Sequence, residues 1–395
     1  MKEILVLLPT GGKGTRLKPV TTTLNKSLTP INGRPILFRI IDELYKANYM
    51  EFLVLNGHLG YQVQSAILKS NIFTSTNLSI KCELSDPNYS VAQRIIEYKK
   101  HILQYKYVML CYCDNLVEYD SLIRYNQIKS ESKLIYSDSK NGNLNLKEKD
   151  KSSLTYHPVR SPNYKYSEMG YITLNSKLLI ESLLITMDLP NSLNIITSNF
   201  GVKGLYVNNF TSVSTLSRYR ELRKRRKTIF LDRDGVINAN IGKGKYVENL
   251  SQVKYLTENI NLFRKLSSHY EFDFIVVTNQ AGIERGIITE SELQIIHQEM
   301  HGFLVSQGVS VLAFYYCSHH WDSGCSCRKP KPGLVLRAID DFGLRAEDCV
   351  LIGDMDTDLE AGLAASVFSI KVESNPSIEK LEILKNRILK YFRLL

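Results

Sequence analysis

Short, mainly apolar runs recur along this chain at residues 4–8, 52–55, 107–111, 228–231, 272–277 and 349–352. Each has the length of a strand, and each gives way at once to turn-forming or polar residues. Strands apolar on both faces belong to parallel sheets covered by helices. Strand and helix patterns alternate in both halves. The pattern therefore predicts the α/β class, with two Rossmann-like three-layer domains in succession. Near the end, Ile378, Leu381, Ile383, Leu384, Ile388, Leu389 and Phe392 recur at helical spacing. They predict an amphipathic terminal helix packed on its own chain, with contact to a second copy as the alternative. The expected boundaries are 1–215 for the first domain, 216–227 for a linker, 228–372 for the second domain and 373–395 for the terminal helix.

Composition agrees with this division. A chain of 395 residues exceeds what one core usually holds, and its 44% hydrophobic and 23% charged content is that of a globular protein. The start does not resemble a signal peptide, because the first strand is broken at Pro9. No apolar run approaches the ~20 residues of a membrane span. Seven cysteines are few for this length, and three of them crowd one loop, which suits a metal better than a disulfide framework. A cytoplasmic enzyme is expected. The net charge of +10 is concentrated in the stretch from Arg218 to Lys227. No nucleic-acid module surrounds that stretch, so it reads as a solvated linker, and the excess charge suits anionic substrates.

The strand at 228–231 runs into Asp232-Arg233-Asp234-Gly235. Residues two apart on a strand share a face, so two carboxylates at its end can turn into one cavity. Held that close they repel unless a cation is near. The pair reads as a metal and phosphoryl-transfer site, with an ordinary acidic turn as the alternative. Three later segments bear on the choice. The strand at 272–277 ends in Thr278-Asn279, a hydroxyl and an amide at the carboxyl edge where open α/β sheets bind ligands. Arg328-Lys329-Pro330 supplies cations for a phosphoryl group and a second anion. The strand at 349–352 ends in Gly353-Asp354 with Asp358 four residues on. Before the basic loop, Cys317, His319, Cys325 and Cys327 supply four soft ligands, enough for a closed, structural Zn²⁺ site. His320 is the alternative to His319.

In order, these strand ends make residues 228–370 resemble the haloacid dehalogenase superfamily of phosphatases. The resemblance implies that Asp232 attacks phosphorus to form an aspartyl-phosphate and that Asp234 serves as acid and base. It implies that Thr278 and Lys329 steady the phosphoryl group and that Asn279 and Arg328 bind substrate. Mg²⁺ would be held by Asp232, the main-chain carbonyl of Asp234, Asp354 and Asp358. Within the superfamily, the cysteine loop with Arg-Lys-Pro is similar to the histidinol phosphatases and to the D-glycero-D-manno-heptose 1,7-bisphosphate 7-phosphatases. Tyr315 to His320 and Val277 to Gly286 match the heptose enzymes better. The cysteine loop is shorter than theirs.

The first half opens with a strand and the loop Gly11-Gly12-Lys13-Gly14-Thr15-Arg16-Leu17. Glycines let main-chain N–H groups approach an anion, and Lys13 and Arg16 add charge. With Lys26 in Asn25-Lys26-Ser27-Leu28 and Gly33-Arg34-Pro35, residues 1–220 resemble the sugar-1-phosphate nucleotidylyltransferases. The resemblance implies nucleotide or sugar-phosphate binding by Gly12, Gly14, Arg16 and Lys26, and Mg²⁺ at Asp114 in Cys113-Asp114-Asn115. The pattern departs from the family in four places, one being Glu168-Met169-Gly170-Tyr171, which lacks the usual asparagine of the sugar-side loop. Ser212 stands where the family has a second metal carboxylate, and a neutral hydroxyl is the weaker ligand. The base-reading loop survives only as Tyr89-Ser90-Val91-Ala92. The family's Glu-Lys-Pro segment is not recognisable in Lys147-Glu148-Lys149-Asp150.

Together the halves imply removal of the 7-phosphate from a heptose bisphosphate, followed by nucleotide transfer from a nucleoside triphosphate to the heptose 1-phosphate, for a surface polysaccharide. Histidinol phosphate hydrolysis is one alternative. A phosphatase carrying an inactive nucleotide- or sugar-phosphate-binding module is another. No nucleic-acid or membrane partner is expected, and the oligomeric state is not readable.

Overall fold

Buried apolar runs become the central strands of two sheets. The computed structural model describes residues 2–70, 77–140, 142–146, 153–223, 226–242, 244–373 and 376–395. Its contacts divide the chain into two units. The first is Met1–Gly14, Asn25–Ser27 and Ile36–Ser214, and the second is Thr15–Leu24, Leu28–Pro35 and Thr215–Leu395. Two short segments of the glycine-loop region thus count with the second unit. Residues Lys147 to Asp150 lie outside the described part.

The first unit is built on a nine-stranded sheet. In chain order its strands are β1 (Lys2–Pro9), β2 (Glu51–Asn56), β3 (Ser79–Leu84), β4 (Tyr105–Cys111), β5 (Lys133–Asp138), β6 (Gly142–Leu146), β7 (Ser153–Ser161), β8 (Tyr166–Asn175) and β9 (Val202–Tyr206). Their spatial order is β3-β2-β1-β4-β8-β5-β9-β7-β6. Strands β3, β2, β1 and β4 run parallel, and β8 joins β4 antiparallel. The carboxyl ends of β2, β1 and β4 therefore share one edge.

The second unit has a five-stranded, fully parallel sheet of β10 (Thr228–Leu231), β11 (Asp273–Asn279), β12 (Val311–Cys317), β13 (Cys349–Gly353) and β14 (Phe368–Lys371). The order is β12-β11-β10-β13-β14. Chain order reverses on the two sides of β10, and such a switch point opens a crevice at the carboxyl ends. All four residues of β10 are buried, as are all five of β13. Helix Glu290–Ser306 starts at a capping box in which Thr289 Oγ1 accepts from Glu292 N at 3.2 Å and the Glu292 carboxylate accepts from Thr289 N at 2.8 Å. The terminal helix, Ile378–Tyr391, packs on its own chain. Its Leu381, Leu384, Ile388 and Leu389 join the second unit's core, each contributing ~1.5–3 kcal/mol by burial.

The expected solvated linker at 216–227 is corrected over its described residues; 224 and 225 lie outside them. Leu216–Arg223 is a helix with Tyr219 and Arg223 buried. Arg223 and Arg226 both reach the buried carboxylate of Asp273 at the start of β11, at 2.8 and 3.0 Å. Ser310 Oγ donates to the same carboxylate at 2.6 Å. A charge buried there needs hydrogen-bonded counter-charge, and the basic segment supplies it.

Candidate active site and metal centre

The end of β10 carries Asp232, whose main-chain N donates to Ile352 O at 2.9 Å, so the first acidic turn is stitched to the second. Asp232, Asp354 and Asp358 each offer a carboxylate oxygen, and these atoms lie within 4.8 Å of one another. Gly353 makes this possible: a Cβ there would stand 2.1 Å from the Asp358 carboxyl. Lys329 is 3% exposed and lies 2.8 Å from Asp232 and 2.5 Å from Asp358. Three crowded carboxylates beside a buried lysine offer oxygen ligands that suit a hard divalent cation. Burial pushes the Asp232 carboxyl up to about 7; Lys329 opposes this, and Asp358 and Asp234 add to it. Burial also pulls the Lys329 ammonium down, but Asp232 and Asp358 outweigh it and hold it above its usual value.

The Asp234 carboxylate does not join this cluster. It accepts from Arg233 Nη2 at 2.8 Å, Asn238 Nδ2 at 2.9 Å and Gln280 Nε2 at 3.1 Å. Only its main-chain carbonyl is left for the cation role implied by the sequence. Burial opposes ionisation of Asp234, yet the Arg233 charge and these hydrogen bonds hold it below the usual range. Arg233 is itself fully buried and meets His297 Nε2 at 3.3 Å. Burial, then Arg233, keeps that histidine well below its usual value, hence neutral and able to accept. Arg233, Asn238 and Gln280 escaped the sequence reading, although each adjoins a motif it singled out.

Thr278 is 1% exposed, and its Oγ1 accepts from Gln280 Nε2 at 2.9 Å. Asn279 lines the same cavity as Thr278 and also braces Lys329. Its Nδ2 donates to Lys329 O at 3.0 Å and its Oδ1 accepts from Lys329 N at 3.1 Å. Both ends of the amide thus brace the lysine's main chain, and the second Nδ2 N–H lies beyond these two bonds. Asp232, Asp234, Thr278, Arg328, Lys329 and Asp358 line one cavity of about 900 Å³, with Trp321 and Tyr246 also in its wall.

Beside it, Cys317, His319, Cys325 and Cys327 converge. Cys327 Sγ lies 3.3 Å from Cys317 Sγ and 3.2 Å from His319 Nδ1, and Cys317 and Cys325 Sγ are 3.7 Å apart. Three thiols and one imidazole so grouped fit a tetrahedral ion with no open position. His320 turns its Nδ1 to Asp322 instead, so His319 belongs to the group. Burial works against ionisation of Cys325, but hydrogen bonds from Ser323, the Arg328 main chain and Cys327 outweigh it and pull the thiol down to about 6.

In the first unit, Lys26 Nζ meets Asp114 Oδ2 at 2.7 Å. Asn25 Nδ2 ties this segment to Thr10 O at 2.9 Å and His58 O at 2.7 Å. Gly12 and Gly14 follow β1 in the same unit, whereas Arg16 is exposed and counts with the second unit. Ser212 pairs with Asn115 in a short antiparallel ladder, and Val213 N donates to Asp114 O at 2.9 Å. The serine is therefore next to Asp114, and among the described residues Asp114 joins no carboxylate cluster. Ser90 caps helix Val91–Glu97 and accepts from Gln93 N. Glu168 is buried, and burial pushes its carboxyl up to about 7.

Residues 5–230 match the nucleotidyl transferase family model, and residues 326–382 match the HAD-hydrolase-like model. The chain is 35% identical over 147 residues to the D-glycero-beta-D-manno-heptose-1,7-bisphosphate 7-phosphatase of Haemophilus influenzae, covering 36% of this chain and 78% of that one. It is 31% identical over 181 residues to the D-glycero-alpha-D-manno-heptose-1,7-bisphosphate 7-phosphatase of Photorhabdus laumondii, covering 43% of this chain and 96% of that one. A crystal structure of the D,D-heptose 1,7-bisphosphate phosphatase of B. bronchiseptica, complexed with magnesium and phosphate, is 27% identical with a TM-score of 0.37, covering 42% of this chain and 98% of that one. No described helix is long and apolar enough to cross a membrane.

Proposed function

We propose, on the premise that the chain belongs to the nucleotidyl transferase family through its first part and to the heptose-1,7-bisphosphate 7-phosphatase family through its last, that it is a bifunctional enzyme of nucleotide-activated heptose synthesis. The second unit removes the 7-phosphate of D-glycero-D-manno-heptose 1,7-bisphosphate. The first unit transfers a nucleotide to the heptose 1-phosphate that remains. Joining them on one chain raises the local concentration of the intermediate. The observation that carries the phosphatase reading is the Asp232 carboxylate held 2.8 Å from Lys329 inside the three-carboxylate cluster.

Asp232 attacks phosphorus, the bond to the 7-oxygen breaks, and Asp234 donates a proton to that oxygen. Arg233 keeps Asp234 ionised at rest. The approach of a phosphoryl dianion raises its proton affinity by like-charge repulsion and loads it for this step. Asp234 then takes a proton from the water that cleaves the aspartyl-phosphate. Lys329 and Thr278 stabilise the transferring oxygens, and Arg328 takes the substrate's other anionic group. Mg²⁺, held by Asp232, Asp354, Asp358 and the Asp234 carbonyl, would neutralise charge on the phosphoryl group. Cys317, His319, Cys325 and Cys327 would hold Zn²⁺, which would fix the start of the Arg328–Lys329 loop. Thiols kept for a metal at Cys317, Cys325 and Cys327 suit a reducing, cytoplasmic setting.

Phosphate release with Mg²⁺ from the heptose bisphosphate and from histidinol phosphate tests the first activity. Fast release from histidinol phosphate alone would defeat it. Transfer from GTP, ATP, CTP or UTP to heptose 1-phosphate, abolished by Asp114→Ala, is the expected second activity. Ser212 beside Asp114 favours a second reading, a module that binds nucleotide without turnover, which gains if no pair reacts. For zinc, elemental analysis is expected to give one equivalent per chain, lost in a Cys325→Ser/Cys327→Ser variant together with several degrees of thermal midpoint. A zinc-free wild-type chain of full activity would overturn that site.

A further inference from the structure

We propose that Arg94 reads the base of a guanine nucleotide at the carboxyl edge of the first unit's sheet. This rests on the reading of that unit as a nucleotide site. Arg94 lies in helix Val91–Glu97 and is 3% exposed. Its guanidinium sits between two glycines, Gly11 after β1 and Gly57 after β2. A Cβ on Gly11 would stand 2.0 Å from Nη1, and one on Gly57 would stand 2.2 Å from Nη2. Two side-chain-free positions thus frame one cation.

That cation is poorly satisfied. Its side-chain hydrogen bond is from Nη2 to Pro87 O, at a long 3.4 Å, and its Nε is buried without a partner. It forms no ion pair with any described residue. Buried guanidinium groups normally pair with a carboxylate or fill their donor positions, because an unpaired buried charge is costly. Five N–H donors and no acceptor call for a ligand edge made of acceptors.

The place of Arg94 in the sheet narrows the ligand. Strand β1 lies between β2 and β4. Gly57 follows β2 and Asp114 follows β4, so Arg94 and the Lys26–Asp114 pair flank the glycine loop from opposite sides. Two strand spacings, ~10 Å, separate those strands. Loop amides, Lys26 and the Asp114 side suit phosphates, which leaves Arg94 for the other end of a nucleotide. A donor fork matches the paired O6 and N7 acceptors of guanine. Adenine and cytosine present an amino donor at the corresponding edge, and such a donor opposes the guanidinium.

Equilibrium binding of GTP, ATP, CTP and UTP to the full chain with Mg²⁺ tests this, using wild type, Arg94→Lys and Arg94→Met. GTP is expected to bind wild type about tenfold or more tighter than ATP. Both variants are expected to lose that preference: lysine keeps the charge without the fork, and methionine keeps bulk without donors. Thermal midpoints establish that each variant is folded. An unchanged preference in the two variants overturns the proposal. So does tighter nucleotide binding by Arg94→Met, which would make the guanidinium a plug, and so does a wild type that binds no nucleotide. Binding is read here and turnover is not, so guanine-selective binding without transfer would defeat the transferase reading and leave this one standing.

Discussion

Asp232→Asn is expected to lower phosphate release from heptose 1,7-bisphosphate by about 10⁴-fold or more, the scale seen when a covalent nucleophile is removed. The fold is expected to survive, and the metal-free chain is expected to gain stability at alkaline pH. Burial pushes the folded Asp232 carboxyl up to about 7, against an ordinary value of 3.8. Between about pH 4 and 7 the folded chain therefore holds a proton that the unfolded chain has released. Stability falls as pH rises through that window, and the full penalty stands above it. Asparagine carries no charge and escapes this loss. In chelator, the thermal midpoint of wild type should drop from pH 5 to pH 8 while that of Asp232→Asn changes less. Saturating Mg²⁺ should raise the wild-type midpoint at pH 8 by about 5–10 °C, and by less at pH 5. A variant within tenfold of wild-type activity would remove Asp232 from the nucleophile's role. A Mg²⁺ effect independent of pH would separate the cation from this cluster.

Lys329→Met is expected to damage both rate and fold. Its ammonium joins Asp232 and Asp358, which are 11% and 1% exposed at their side chains. Deleting one partner of a buried charge group typically costs ~3–5 kcal/mol, which for a unit of this size is about 10 °C of midpoint. Loss of a preorganised donor to the transferring oxygens removes a further ~10²–10³-fold in rate. The two effects are separable. Lower pH protonates the stranded carboxylates, and Mg²⁺ neutralises them, so either should restore part of the midpoint. Neither supplies the missing donor, so the rate at saturating Mg²⁺ should stay low. Full recovery of rate with Mg²⁺ would show that Lys329 only balances charge.

Most of the second unit's chemistry was readable because it sits at strand ends. A buried parallel strand declares itself by its apolar run, and the residues that follow it must reach the sheet's carboxyl edge. Asp232 and Asp354 follow β10 and β13 in that way, and Thr278 is the next-to-last residue of β11. The cysteine group was readable from spacing, since four soft ligands within eleven residues leave little choice of partner. Only the choice between His319 and His320 waited for the structure, where Asp322 takes the second imidazole.

Direction of side chains was not readable. Asp232 and Asp234 looked alike as a pair, yet one carboxylate points into the cluster and the other is gripped by Arg233. The Asn279 amide read as a ligand donor, and only the fold shows that it also braces a loop 50 residues later. The segment 216–227 looked solvated because its charges have no counterpart nearby in sequence; Asp273 is the counterpart, brought there by the fold. In the first unit, Gly11 and Lys26 stood out, whereas Arg94 did not, because nothing in the sequence says that its side chain fills the space over two glycines.

Sequence alone therefore determined the two α/β units, the acidic turn at residues 232–234, its threonine, lysine and second aspartate partners, and the cysteine knot. Local patterning suffices for these, since strand burial and ligand type are written in adjacent residues. Tertiary structure alone decided which carboxylates meet, which cation each one faces, and which polar groups are left unsatisfied. Those outcomes depend on distances of a few ångströms between residues far apart in the chain. At the end of β10, that difference gives Asp232 the raised carboxyl of the carboxylate cluster and Asp234 the lowered one beside Arg233.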